Sequence, residues 1–251
     1  MIRFFRQLRL RILSGYRKEG GPGGRIHRRK ASPAGRYLLY AAGEILLVVI
    51  GILIALQINT WNDGRLEQIA AETFYENTRQ QLLEDRRNIE GQIAYNNKNV
   101  AQFKYAVTLI SGNNRNSKDS LCAISGKLVD YSDFDRQGTI YETIVNSGEV
   151  RLLKNEEIKK RLRALEETYL YINRIETIHY DAIMLITPEI FKTINITSKE
   201  IIDEDRLYSP GFQNNFAISL RLIKEKEEVY LRALDEIDVL VSLIIEELKR
   251  S

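Results

Sequence analysis

Apolar residues recur at alternating intervals of three and four positions over most of residues 63–249, which is the spacing of one face of an α-helix. The pattern predicts three long amphipathic helices, near residues 63–111, 155–187 and 212–249. No stretch alternates between apolar and polar residues as a strand does. The predicted fold class is therefore all-α, with an antiparallel, coiled-coil-like helical bundle over residues 62–251.

Breaks in this pattern predict where helices begin and end. Shorter helices are expected near residues 120–127 and 136–147, the second ending at Gly148. The Thr-Pro-Glu sequence at 187–189 is typical of a helix start with proline at the first helical position, so a new short helix is expected there. The Ser-Pro-Gly sequence at 209–211 is expected to form a turn before the last helix.

The most apolar stretch precedes the first of these long helices. Residues 38–58 contain one charged residue and would extend roughly 31 Å as a helix, which is the thickness of the hydrocarbon core of a bilayer. Tyr37, Tyr40 and Trp61 flank the stretch, as aromatic residues do at membrane interfaces. A single transmembrane helix is therefore predicted over residues 37–61, with these three aromatic side chains as its interfacial anchors.

One face of this predicted span carries small and polar residues. Glu44, Val48, Gly51, Ala55 and Asn59 share one stripe, and the glycine and alanine form a small-xxx-small pair that permits close helix approach. The stripe predicts a contact with a second copy of the chain or with another membrane protein, with Glu44 facing inwards. Two alternatives stay open for Glu44: it handles protons, or it is a shallow carboxylate that reaches the membrane interface.

Charge divides the chain at the start of the predicted span. The formal net charge of +3 is the sum of +10 over residues 1–36 and −7 over residues 37–251. Residues 17–36 hold seven Lys or Arg, whereas residues 62–81 hold two. Because basic residues are enriched on the cytoplasmic side of membrane helices, the N-terminus is expected in the cytoplasm and residues 62–251 outside it, as for an uncleaved signal anchor.

The basic N-terminal arm, residues 1–36, has two parts. Arg3, Arg6 and Arg9 lie on one side of a predicted helix over residues 1–13 whose other side is apolar, a pattern suited to anionic lipid headgroups. The alternative is an unstructured basic tail that only sets the topology. Residues 14–35 are rich in glycine and proline and are expected to form a flexible linker. A nucleic-acid partner is not expected, because lipid phosphate is the nearer anion.

The residues that most catalytic and metal sites need are scarce. The chain has one cysteine, Cys122, and two histidines, His27 and His179, and it lacks phosphate-loop, HExxH, CxxC and GxSxG motifs. Glu176 and His179 have the ExxH spacing of di-iron bundles, but such sites need two pairs and further glutamates. These two residues are expected to be polar core residues or exposed, and Cys122 a small core residue. No catalytic residue, cofactor or metal is predicted.

Two stretches resemble those of one protein family. Residues 43–62, GEILLVVIGILIALQINTWN, and residues 141–155, YETIVNSGEVRLLKN, are similar to two recurrent stretches of a family of uncharacterised single-span proteins from Bacteroidetes, catalogued only as a domain of unknown function. The resemblance covers most of the chain from Arg3 onward. It implies a single-pass protein of the bacterial inner membrane with a helical region in the periplasm, and it implies no activity.

These observations favour a membrane-anchored, non-enzymatic interaction or scaffold protein. The heptad-like patterning, the stripe in the predicted span and the absence of catalytic motifs support this hypothesis, with the lipid bilayer and a homo-oligomer or membrane-protein partner as the expected contacts. One alternative is an extracytoplasmic ligand-sensing module, which would need a signalling partner because only 36 residues are left for the cytoplasm. The other is a proton-coupled single-span subunit that uses Glu44.

Overall fold

The structure, a computed structural model, describes residues 33–134 and 152–250, with the side chains of residues 33–37, 39 and 40 excepted. The helix predicted over residues 136–147 lies outside the described residues. The same holds for the predicted lipid-facing arginines Arg3, Arg6 and Arg9 and for the side chains of the predicted anchors Tyr37 and Tyr40.

Helices account for most of the described chain, as predicted. In chain order the elements are α1 (Pro33–Ser111), a 3₁₀ turn (Arg115–Ser117), α2 (Lys118–Ser125), a second 3₁₀ turn (Gly126–Val129), α3 (Glu156–Thr193), β1 (Ile194–Asn195), β2 (Glu200–Ile201), α4 (Glu204–Leu207) and α5 (Pro210–Arg250). The two strands pair antiparallel. They were not predicted, because two-residue strands are too short to show alternation.

The prediction that a new helix begins at residue 187 is wrong, since Pro188 lies inside α3. A proline within a helix costs about 3 kcal/mol or more, because it removes one backbone hydrogen bond. Ile183 and Ile190 on either side of it are both fully buried, so burial of the second isoleucine offsets that cost. The hydroxyl of Thr187, the residue before this proline, donates to the Ile183 carbonyl at 2.7 Å.

The chain divides into two compact units, Met1–Thr60 and Trp61–Ser251. In the first unit the described residues all belong to α1. An 18-residue window of the helical stretch Ala41–Ser111 has a mean hydropathy of 2.4, and none of that window is buried. By length and composition, this helix is therefore able to cross a membrane.

Two apolar clusters form the core of the second unit. The first joins α1, α3 and α5 through Tyr75, Leu82, Ile89, Leu165, Tyr169, Ile172, Tyr230, Ile237 and Ile244. The second joins the same helices and α2 through Phe103, Ile110, Leu121, Cys122, Ile190, Phe212, Phe216 and Ile223. Cys122 is thus a buried core residue, as predicted.

Side-chain contacts give the relative directions of α3 and α5. Asn155, the N-cap of α3, donates to Glu247 near the end of α5 at 2.8 Å. Arg161 donates to Glu236 at 3.2 Å, and the Tyr230 hydroxyl donates to Glu176. Because position numbers rise on one helix as they fall on the other, the two helices run antiparallel.

Candidate functional site: a buried polar layer

Buried polar side chains lie where the two apolar clusters meet, and they form what we call the polar layer. Its members are Asn96 and Asn99 of α1, Glu176 and His179 of α3, and Ser219 and Lys226 of α5. Lys226 is only 1% exposed. Burying a charge or an amide costs free energy unless it is hydrogen bonded, so this concentration of polar groups marks the layer as the candidate site.

Glu176 and Lys226 hold the same short segment, residues 131–134, by its backbone. The Glu176 carboxylate accepts hydrogen bonds from the backbone N–H of Phe134, at 2.8 Å, and from the Tyr230 hydroxyl. The Lys226 ammonium donates to the backbone carbonyl of Ser132 at 2.8 Å. The carboxylate of Glu176 thus accepts from a backbone N–H group, and the ammonium of Lys226 donates to a backbone carbonyl. The two buried charged groups together hold this segment against α3 and α5.

Burial controls the electrostatics of the layer. It raises the pKa of Glu176, against the effect of the hydrogen bonds from Tyr230 and Phe134. It lowers the pKa of Lys226, against the attraction of Glu176. Burial, with a smaller contribution from the charge of Lys226, lowers the pKa of His179 to about 4. The imidazole of His179 is therefore neutral at physiological pH.

A small chamber lies beside the polar layer. Its volume is about 10 Å³, which is space for one water-sized group. Four elements line it, through Tyr95, Asn96, Asn99, Phe103, Lys127, Leu128, Asp130, Ser132, His179, Ser219, Ile223 and Lys226. Two buried polar atoms of the polar layer, Nδ2 of Asn96 and Nδ1 of His179, have no hydrogen-bond partner within the part of the chain that the structure describes. The layer therefore has a small space beside it and some unused hydrogen-bonding capacity within it.

Sequence reasoning identified part of this layer and missed part of it. Glu176 and His179 break the apolar register of α3, and both are buried, which is one of the two outcomes expected for them. In α5 Glu227 interrupts the three-and-four spacing of the apolar residues, whereas the neighbouring Lys226 is the buried residue. Position 226 is three residues after Ile223 and four before Tyr230, so the same spacing rule could have identified it.

The predicted interface residues of the span lie on α1. Glu44, Val48, Gly51, Ala55 and Asn59 are all exposed in the isolated chain. A Cβ added at Gly51 would meet nothing within 4 Å, so the chain itself leaves this position open. Trp61, the described member of the predicted anchors, is 69% exposed. The contact predicted for the stripe stays a prediction.

Metal-ligating side chains do not cluster in residues 33–134 and 152–250. No group of three or more His, Cys, Asp or Glu residues there is arranged to hold a metal ion. The single cysteine is buried, and burial raises the pKa of its thiol, which disfavours the reactive thiolate.

Over residues 33–134 and 152–250 the fold is mostly helical, and one helix there is long and apolar enough to cross a membrane. Residues 44–209, about two thirds of the chain, match DUF6090, a family of unknown function. The chain belongs to this family, in agreement with the resemblance to an uncharacterised domain. No curated protein and no solved structure matches it.

Stability should fall between pH 6.5 and pH 4 because of His179. Its pKa in the folded protein is about 4, below the ordinary value of 6.5, so the unfolded chain binds this proton at higher pH than the folded chain does. The stabilisation is complete above pH 6.5 and is lost as the pH falls, by about 3 kcal/mol at most. The raised pKa of Glu176 acts with the opposite sign.

The measurement is the free energy of unfolding of the full chain in detergent at several pH values, compared with that of His179→Gln. Glutamine has similar size and does not titrate, so the difference between the two curves isolates His179 from Glu176 and the surface carboxylates. Parallel curves over this pH window would show that His179 keeps its ordinary pKa.

Proposed function

We propose that the protein is a membrane-anchored, non-catalytic interaction protein, with residues 1–36 in the cytoplasm and residues 62–251 in the periplasm of a bacterial cell. The observation that carries the proposal is the apolar segment of α1, none of which is buried. Its exposed large side chains run almost without interruption from Ile45 to Ile58. Such a surface is far larger than the apolar patches of soluble monomers, and a lipid bilayer is the environment that would cover it.

Two arginines in the centre of this segment should abolish stable membrane integration. Val49→Arg/Leu53→Arg places two charges at exposed apolar positions, and each costs about 2.5–3.5 kcal/mol at the centre of a membrane helix. The measurement is the fraction of the full chain that stays in the membrane pellet after an alkaline wash.

The matched control for this pair is Leu66→Arg/Ile69→Arg, which changes two exposed apolar residues of the same helix outside the apolar window. The control should stay in the pellet. Equal extraction of both double variants would show that the apolar segment is not the anchor.

The stripe on α1 is the proposed contact with a second copy of the chain. Gly51→Ile should lower the fraction of cross-linked oligomer in mild detergent, because a large side chain prevents close helix approach. The same substitution at Gly43, which lies outside the stripe, is the control. Both glycines have open space around them in the isolated chain, so an effect at Gly51 alone would come from association. If the chain is monomeric both without the substitution and with Gly51→Ile, and retains no partner, the proposal is contradicted.

A second candidate function is ligand sensing by residues 62–251, acting through a signalling partner. The observation that favours it is the chamber beside the polar layer, which has room for one water-sized group and is lined in part by buried polar side chains. Asn96 and Asn99, which line the chamber, belong to α1, the helix that also carries the apolar segment. A ligand bound there would contact this helix directly.

A further inference from the structure

Helix α3 is apolar on two opposite sides. Its buried side packs in the core and runs from Ile158 to Ile190. On the side away from the core, five large apolar side chains are 41–82% exposed, and we call them the outer face: Leu170, Tyr171, Ile178, Met184 and Leu185. An amphipathic helix needs one apolar face to pack in a bundle. The outer face is therefore not explained by packing within the part of the chain that the structure describes.

The outer face has the spacing of a coiled-coil seam. Tyr171, Ile178 and Leu185 form one column at intervals of seven positions, and the other two members form a second column beside it. Columns that repeat every seven residues follow the line along which one helix packs on another. The complementary surface is therefore another helix, lying along α3 for roughly 24 Å.

Two opposite charges lie between the two columns of the outer face. Arg174 and Asp181 are both exposed, and they are roughly 10.5 Å apart along α3, which is too far for them to pair with each other. The ion pairs that α3 makes within the described residues involve other side chains. A helix that covers the outer face should therefore place an acid opposite Arg174 and a base opposite Asp181.

A second copy of α3 in the antiparallel orientation supplies both charges. With the two Ile178 side chains at the two-fold axis, Arg174 comes level with Asp181 of the partner subunit, and the symmetry forms this pair twice. In a parallel pair Arg174 would lie against Arg174 of the partner subunit, and like charges in contact cost free energy. Charge complementarity therefore favours a second copy in the antiparallel orientation.

The apolar residues of the outer face pair in the same alignment. Tyr171 comes level with the partner's Leu185, and Leu170 comes level with the partner's Met184. The exposed half of a large apolar side chain measures roughly 100 Å². Five such side chains on each of two copies amount to about 1,000 Å², which is the size at which specific interfaces begin. The outer face is thus large enough for a specific contact between two copies.

We propose that the outer face of α3 binds the same face of a second copy of the chain, antiparallel about a two-fold axis at Ile178. The proposal rests on the proposed interaction function, and it names a surface and a partner for that function. This surface is separate from the stripe on α1.

The first test is cross-linking of the full chain in mild detergent with copper phenanthroline as the oxidant, in the Gly51→Ile background so that the stripe does not contribute. Ile178→Cys should form a disulfide-linked dimer, because residue 178 meets its own copy at the two-fold axis. The chain without an added cysteine gives the background, since its own Cys122 is buried.

The matched control is Ile218→Cys on α5, because Ile218 is 46% exposed and Ile178 is 45% exposed. It should give severalfold less dimer than Ile178→Cys. Equal yields from the two variants, or no dimer from Ile178→Cys above the background, would overturn the proposal.

Arg174→Cys tests the orientation of the two helices. In the antiparallel pair the two introduced cysteines lie roughly 12 Å apart along the helix axis, which is beyond the reach of a disulfide. In a parallel pair they would be adjacent. A dimer yield equal to that of Ile178→Cys would contradict the antiparallel alignment.

Charge reversal gives a test without introduced cysteines. Arg174→Glu places like charges against each other twice, and it should weaken dimerisation by about tenfold or more, as measured by sedimentation in the same background. The exchange Arg174→Asp/Asp181→Arg should restore the affinity, because each charge again meets its opposite. Arg232→Glu, at an exposed arginine of α5, is the control and should leave the affinity unchanged. No recovery in the exchanged variant would contradict the proposed pairing.

Failure of this proposal and failure of the proposed function give different results. If the α3 variants leave association unchanged while Gly51→Ile lowers it, the outer face is not the contact and the interaction function stands. If the unsubstituted chain is monomeric and retains no partner, both are contradicted.

Discussion

Replacing Lys226 by methionine should destabilise the protein by about 3–5 kcal/mol, because the change breaks a buried arrangement of opposite charges by removing one partner. Methionine has a similar length and is apolar, so packing of the stem is largely preserved. What is lost is the donor to the Ser132 carbonyl and the positive charge that stabilises ionised Glu176. The measurement is denaturant unfolding of the full chain in detergent, followed by far-ultraviolet circular dichroism.

Two companion variants make this prediction specific. Lys224→Met removes a lysine that is exposed on the same helix, and it should change the free energy of unfolding by no more than about 0.5 kcal/mol. The double variant Lys226→Met/Glu176→Gln removes both charges and should cost less than the sum of the single changes. If Lys224→Met and Lys226→Met have equal effects, the buried ammonium has no special role in stability.

Phe216→Ala should cost a similar amount, about 3–5 kcal/mol, for a different reason. Phe216 is fully buried in the second apolar cluster. Its ring packs edge to face against the rings of Phe103 and Phe212, with ring centroids 5.5 Å and 6.0 Å apart. Alanine would leave a cavity and remove both aromatic contacts. The same unfolding measurement applies.

The matched control for this substitution is Phe191→Ala, because Phe191 is 55% exposed. It removes the same atoms from a partly solvated position, where the loss of buried area is much smaller. A cost for Phe216→Ala no larger than that for Phe191→Ala would show that the second cluster does not stabilise the fold.

The long helices were predictable because their apolar residues are regularly spaced, and the residues at those positions are buried. Leu82, Ile89 and Phe103 in α1 follow one three-and-four spacing in the sequence, and all three are buried. The same rule failed at Pro188, where a local start signal was weaker than the burial of Ile190. The residue at which a helix begins or ends depends on the balance between local sequence signals and burial in the tertiary structure. The spacing of apolar residues alone does not give that balance.

The polar layer was only partly predictable. The spacing of apolar residues identifies the buried face of a helix, and by this rule every polar residue counts as an interruption, whether it is buried or exposed. Asn96 and His179 interrupt their registers and are buried, whereas Glu227 interrupts its register and Lys226 beside it is buried. The chamber is formed by side chains from helices far apart in the sequence. Their meeting depends on the relative positions of three helices, which no local pattern specifies.

The polar layer also limits how α3 and α5 can slide past each other. Apolar seams with a seven-residue repeat tolerate shifts by whole repeats, since one apolar residue replaces another. A shift of seven residues would bring Glu176 opposite Ile237 instead of Tyr230 and would leave the carboxylate without its hydroxyl donor. Two helices with interchangeable apolar faces are thereby restricted to one alignment. Burial of the charged groups costs a few kcal/mol of stability, and it makes a single pairing of the two helices the native one.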